Sequence, residues 1–282
     1  MKWVVDCHVH TCFLTPEQAA RERKCHAFLD AFEASGVDAV IVTEHAWRSY
    51  RTAFDQLTAA QTRSSNWNTL LIPGVEGYTK EGVDIILYGE SPEFYEALVE
   101  IGLSKPKELS LTEVVRIAEA EPRIGYFLPH PRGLSNTAVL NNRATKDLGL
   151  PLHRVEKING SFGMLSTALG RAGRFLPSKT VSRVEEAYCY DHQPDQQIFA
   201  GSDAHHPSDI NSIHCLSIEV EEKPKTVAEG FALLRDGVDR SWRVEREGFS
   251  FSRVCSQGLT TFVEFLLKHS NLSRRQRSGG DK

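Results

Sequence analysis

The stretch Asp6-Cys7-His8-Val9-His10 closes the first hydrophobic run of the chain and decides how the rest is read. Side chains alternate across a strand, so His8 and His10 are expected on one face with Asp6 beneath them on it. Two neutral imidazoles aimed at one point begin a metal site. Matching residues recur downstream, each at the end of a hydrophobic run. Ala39-Val-Ile-Val-Thr43 ends in Glu44-His45, and Leu70-Leu-Ile-Pro-Gly-Val75 leads into Glu76. Ile124-Gly-Tyr-Phe-Leu-Pro129 delivers His130-Pro131-Arg132, and Ile198-Phe-Ala-Gly-Ser202 delivers Asp203-Ala204-His205-His206.

These runs belong to an alternation of strands and helices. A helix is expected from Pro16-Glu17 to Gly36, with Pro in its first turn, then a buried strand over 38–43 and a second helix over 47–60. Strands follow near Leu70 and over 83–88, the latter closed by Gly89. Ser110-Leu-Thr-Glu113 has the form of a capping box opening a helix to Ala120. Further strands are read at 124–128, 155–158, 197–200 and 215–220, and helices at 165–175, 178–188 and 226–235. Such alternation predicts a mostly parallel sheet or barrel, whose chemistry collects at the carboxyl ends of its strands.

Composition sets outer limits. A chain of 282 residues with 40% hydrophobic content can bury the core of one α/β barrel or two ordinary domains. A net charge of -4 and a pI near 6.3 argue against general nucleic-acid binding and leave room for a local basic channel. Lys2 and Asp6 interrupt the first residues too early for a signal peptide, and no apolar stretch is long enough to span a membrane. A soluble, cytoplasmic protein is expected. Cys7, Cys12, Cys25, Cys189, Cys215 and Cys255 form no Cys-x-x-Cys pair and are read as reduced.

Taken in order, His-x-His, Glu-His, Gly-Val-Glu, His-Pro and Gly-Ser-Asp-Ala-His resemble the PHP (polymerase and histidinol phosphatase) superfamily of metal-dependent phosphoesterases, over roughly residues 1–240. Asn159, in Val155-Glu-Lys-Ile-Asn-Gly160, falls where that family often has a strand ending in Asn-Gly. The resemblance implies an α/β fold, a distorted (β/α)7 barrel with a metal cluster at its mouth. Residues 241–269 would be an extension packed on the barrel, and 270–282, with Arg274, Arg275, Arg277 and Lys282, a disordered basic tail.

Carried over by resemblance, the first metal is held by His8, His10, Glu76 and Asp203. Glu76 bridges to a second metal also bound by His130, and a third uses His45 and His205. Mixed imidazole and carboxylate ligation suits Zn²⁺, Mn²⁺ or Fe²⁺ better than Ca²⁺ or Mg²⁺. Such ions lower the pKa of bound water toward about 7. Arg132 is placed to grip a phosphate bidentately. His206 is read either as the acid that protonates the leaving oxygen or as a mere neighbour of a ligand.

The chain departs from the family pattern at two places. Thr15 and Pro16 stand where a further Asp or His is common, and Ile86 where a His is common. Asp84, on the strand face of Ile86, and Cys12, continuing the alternation of His8 and His10, are the available substitutes. About two metal ions are therefore expected, since each lost ligand weakens one site. The leading function is hydrolysis of a small phosphate ester or nucleotide, by a monoesterase or a phosphodiesterase. A nuclease acting on single-stranded ends comes next, and a non-catalytic scaffold that keeps part of the site is the third reading. The segments 46–65, 131–150 and 160–178 would set specificity. His26, His153, His192, His214 and His269 lack a matching context and are read as surface or packing residues. Trp47, Tyr50 and Trp67 are read as either pocket wall or core.

Overall fold

β1 (Lys2–Val9) lies inside a mixed seven-stranded sheet of order β5-β4-β3-β2-β1-β8-β9. The computed structural model describes residues 1–11, 17–46, 50–64, 66–133, 137–145, 152–161, 182, 185–193, 195–210, 215–236 and 242–243. β2 (Ala39–Val42) pairs parallel with β1, and β3 (Leu70–Tyr78) parallel with β2. β4 (Asp84–Gly89) is antiparallel to β3, and β5 (Ile124–Phe127) antiparallel to β4. β6 (Arg154–Asn159) and β7 (Gln197–Gly201) form a parallel pair. β8 (Leu216–Glu219) runs antiparallel to β1 and carries β9 (Trp242–Arg243). Parallel bridges Leu128–Val155 and Val9–Ala204 connect β6 and the end of β7 to the ends of β5 and β1. The result is a mixed α/β fold with a curled, half-barrel sheet.

Four pairings, β3–β4, β4–β5, β1–β8 and β8–β9, are antiparallel and depart from the expected mostly parallel arrangement, the first of them for a reason of chain length. Residues 79–83 close β3 onto β4 as a hairpin, with Thr79 N–H bonded to Val83 O and Gly82 at φ 77°. A parallel crossover needs about a dozen residues or more, so this link forces an antiparallel step. Two such steps leave β5 running with β1, β2 and β3, so β4 begins at the end where those strands finish. β8 is likewise antiparallel to β1.

Apolar side chains fill both sides of the sheet. Trp3, Val5, Ile72, Ile86, Phe127 and Phe199 lie in the enclosed layer, where the Phe127 and Phe199 rings stack at 4.4 Å. On the other side α1 (Gln18–Ser35) buries Cys25, Phe28, Leu29 and Phe32, one helical stripe, against Val40, Val42 and Leu71. α1 ends at Gly36, whose left-handed φ of 70° lets its N–H return to Glu33 O. α4 (Leu111–Ala120) starts at the capping box read at Ser110 and Glu113. α2 (Tyr50–Thr62) carries the helix read over 47–60 as far as the described residues reach, 47–49 lying outside them, and α3 (Phe94–Glu100) had no counterpart in the sequence reading. α5 (Val227–Asp236) packs Phe231 and Leu234 into the enclosed layer.

Trp67 and Tyr50 are part of the helix-side packing. Trp67 donates to Asp30 and faces His26, and Tyr50 lies against Tyr95. Cys7, Cys25 and Cys189 are free thiols. Among the described residues no helix is long and apolar enough to cross a membrane. Cys12, Thr15, Pro16, Trp47, His214, Cys255, His269, the helix read at 165–175 and the basic tail lie outside the described residues.

Candidate metal centre

The phase of β1 changes within the motif. Asp6 is registered with Val40 and Val9 with Val42, three residues on β1 against two on β2. Consequently Trp3, Val5 and Cys7 belong to the enclosed layer, whereas Val9 belongs to the helix side. The shift turns His8 and His10 toward the enclosed space. Asp6, opposite Val40, is therefore not beneath them on their face, which corrects the simple alternation. Its carboxylate instead fastens β1 to β7, accepting from His8 N–H at 3.3 Å and Ser202 N–H at 2.9 Å. Burial raises its pKa to about 6 against the lowering by these bonds.

The end of β7 is held against His8 by backbone. Asp203 N–H donates to His8 O at 2.7 Å and His10 N–H to Ala204 O at 2.8 Å. Gly201 is required there, because a Cβ would stand 2.4 Å from His8 Cβ and 2.6 Å from its amide nitrogen. Asp203 and His130 themselves adopt positive φ, 49° and 31°. Such backbone is uncommon for residues with a Cβ and collects at functional sites.

Around this frame the expected ligands converge. His8 Nε2 and His10 Nε2 lie 2.9 Å apart, and Asp203 Oδ1 is 3.5 and 3.4 Å from them. Glu76 sits between four imidazoles: Oε1 is 3.7 Å from His8 and 3.3 Å from His130, and Oε2 is 3.5 Å from His10 and 2.6 Å from His45. The His10 ring lies 4.1 Å from that of His45 and 4.6 Å from that of His205. Three overlapping groups each offer ligand atoms within 4.8 Å of one another: His8, His10 and Glu76; His10, His45 and His205; Glu76, Asp84 and His130. All seven sequence-read ligands thus meet in one place, and Asp84 joins them.

Arg132 and His206 stand at the edge of this group. Arg132, 47% exposed, is 3.3 Å from Glu186. His206 is exposed, and its Nδ1 accepts from Ser208 N–H and lies 2.9 Å from Ser208 Oγ. A neutral ring in that arrangement carries its proton on Nε2.

Glu156 is a member of the site that the sequence reading passed over. Fully buried on β6, it takes His8 Nδ1 at 3.1 Å, His130 N–H at 2.7 Å and Asn159 Nδ2 at 3.1 Å. Asn159 also reaches Asp203 Oδ2 at 3.2 Å. The available signal was a carboxylate inside the apolar run Val155-Glu-Lys-Ile158, just before the Asn-Gly pair.

Charge is strongly polarised within the cluster. Burial lowers the pKa of His8, but Asp203 and Glu156 outweigh it and raise it to about 10. Burial likewise opposes charge on His130, while Glu76 and Asp84 raise it to about 9. Burial, followed by His45 and His205, lowers His10 to about 4. Burial would raise Glu76 and Asp203, yet the surrounding imidazoles hold both carboxyls well below their usual range. Protonated His8 can therefore donate through Nε2 to neutral His10.

This donor set fits divalent ions. Two nitrogens each ~2.1 Å from one ion stand roughly 3 to 3.5 Å apart, close to the His8–His10 separation. The second nitrogen of His8 is fixed by a carboxylate, the arrangement that commonly orients a metal-bound imidazole. His10 Nδ1 is buried with no hydrogen-bond partner among the described residues.

No family model matches the sequence, and no curated protein matches it. Solved structures do. PsfC from Pseudomonas syringae PB-5123 superposes with a TM-score of 0.52 at 16% identity, covering 93% of this chain and 97% of its own. Endonuclease Q, in complex with a 27-mer duplex substrate with an abasic lesion at the active site, gives 0.50 at 14% identity over 86% of this chain. This chain spans 58% of that enzyme's length. At such identities the likeness speaks for the fold, and it is consistent with a PHP-like architecture.

Proposed function

We propose that this chain is a metal-dependent hydrolase of phosphate esters built on a PHP-like (β/α)7 barrel. The observation that carries the reading is the convergence of His8, His10, Glu76 and Asp203 on one point at the carboxyl ends of β1, β3 and β7. These four would hold the first ion, Glu76 and His130 the second, and His45 and His205, with His10 beside them, a third. Divalent ions held there supply an activated water and positive charge for the phosphoryl oxygens.

The protein's own groups divide the remaining work. Glu156 fixes the His8 ring, Asn159 steadies Asp203, and Glu76 spans the imidazoles. Arg132 exchanges Glu186 for a substrate phosphate, offering two parallel N–H donors. His206 can act as an acid only when doubly protonated, with Nδ1 then donating to Ser208 Oγ.

A nuclease is the second reading, favoured by the fold shared with an endonuclease. The two part on substrate. Chelator-stripped protein reloaded with Mn²⁺ or Zn²⁺ should hydrolyse nitrophenyl phosphate or bis-nitrophenyl phosphate and ignore a labelled oligonucleotide. Cleavage of single-stranded or abasic duplex oligonucleotide with steep salt dependence would select the nuclease. Failure on every substrate, with His8→Ala indistinguishable from wild type, leaves the scaffold reading.

A further inference from the structure

We infer that Asp84 is the third protein ligand beside Glu76 and His130, and that its carboxylate narrows the affinity advantage of Zn²⁺ over Mn²⁺ at this position compared with the all-imidazole group; the inference rests on the metal-dependent reading above. The hairpin register explains why the ligand comes from here. Glu76 is paired with Ile86 and Tyr78 with Asp84. Ile86 is completely buried in the apolar layer with Phe127, so no donor reaches the cluster from the position where the family commonly has His. One alternation step toward the start of β4, on the same face, brings a carboxylate to the rim. Because β4 is the reversed strand, its first residue lies at the end where β3 and β5 finish.

The local geometry is that of a group aimed inward. Asp84 is 8% exposed, and its N–H is held by Thr137 O at 2.9 Å. Its Oδ2 is 3.9 Å from His130 Nε2, the same nitrogen that stands 3.3 Å from Glu76 Oε1. A separation of 3.9 Å is too long for a direct hydrogen bond and suits two groups flanking a common ion. One ligand atom each from Glu76, Asp84 and His130 lies within 4.8 Å of the others. Two carboxylates and one imidazole form a harder donor set than the three imidazoles of His10, His45 and His205. The first set therefore narrows the usual advantage of Zn²⁺ over Mn²⁺, and the second keeps it.

The test titrates the chelator-stripped full chain with Mn²⁺ and, separately, Zn²⁺ by equilibrium dialysis and calorimetry, without substrate. Asp84→Asn should lose one equivalent of Mn²⁺ or bind it at least tenfold more weakly. Asp84→His should restore the equivalent and widen the ratio of Zn²⁺ to Mn²⁺ affinity beyond that of the wild type. Circular dichroism checks the fold of both variants, and Asp84→His carries the test if Asp84→Asn does not fold. Mn²⁺ stoichiometry and affinity within twofold of wild type in Asp84→Asn, or an unchanged ratio of Zn²⁺ to Mn²⁺ affinity in Asp84→His, overturns the inference alone. A wild-type chain that binds neither ion overturns the metal-dependent reading and this inference with it.

Discussion

His8 Nδ1 and Glu156 Oε1 lie 3.1 Å apart, with both side chains sealed from solvent. Glu156 also accepts from His130 N–H and Asn159 Nδ2, so one carboxylate ties β1, the turn after β5 and the end of β6 together. Glu156→Ala leaves three buried donors without an acceptor, each costing about 1–3 kcal/mol. Thermal unfolding should show a loss of roughly 3 kcal/mol or more. Glu156→Gln keeps one acceptor and should lose less. Metal affinity should fall about 10- to 100-fold in either variant, because the His8 ring loses its orienting partner. An unchanged Zn²⁺ affinity in Glu156→Gln would refute that positioning role.

Proton release should accompany metal loading. At pH 7 the stripped protein holds His8 and His130 protonated, since their pKa values are raised to about 10 and about 9. An ion taking those nitrogens displaces the protons, so apparent affinity rises with pH until about 10. Stability of the stripped protein follows the opposite sign. The two raised groups contribute fully below about pH 6.5, and that contribution is lost as pH climbs through 9 and 10. His10, lowered to about 4, removes stability as pH falls from about 6.5 toward 4. Calorimetry in buffers of different ionisation enthalpy measures the release; equal heats in all buffers contradict it.

Gly201→Ala should separate β7 from β1. Its new Cβ meets the backbone nitrogen and Cβ of His8, which belong to the central strand and have no room to yield. Overpacking of this kind typically costs 1–3 kcal/mol. Because Asp203 follows two residues later and bonds to His8 O, metal affinity should fall together with the melting temperature. A variant with lowered melting temperature and unaltered metal binding would show that Asp203 is positioned independently of that contact.

The sequence announces the members of the cluster because each ends a hydrophobic run, and parallel strands bring such ends together. His8, His10, His45, Glu76, His130, Asp203 and His205 were legible on that ground. Asp6 was misassigned to the histidine face because the extra residue between Asp6 and Val9 has no local signature. Glu156 escaped notice because its importance lies in three partners distant along the chain. The antiparallel β4 follows from a short link, and that link is visible in the sequence. Its consequence, that a strand start can share the site with strand ends, emerges only from the curled sheet. The helix side was readable in α1 through its regular buried stripe, whereas the short α3 carries too little periodicity to stand out.

Glu76 offers the sharpest separation between electrostatic and steric roles. Its Oε1 lies 3.3 Å from His130 Nε2, and the hydrogen bond to Glu76 is the leading contribution that offsets burial and keeps His130 charged. His8 retains Asp203 and Glu156 if Glu76 is neutralised, whereas His130 loses the hydrogen bond that contributes most to its charge and keeps the fields of Asp84 and Glu156. Glu76→Gln preserves shape, so its effect on the stripped protein is chiefly the loss of this charge-assisted hydrogen bond, about 1.5–3 kcal/mol near pH 7. The His130 pKa should then drop, because less opposes the effect of burial. As pH rises through 9, wild-type His130 deprotonates as well, and the difference between the two proteins should shrink. Denaturant unfolding at pH 7 and pH 10 measures it. An equal cost at both values would mean that Glu76 supports the fold by packing rather than by charge, while loss of metal binding at both is expected in either case.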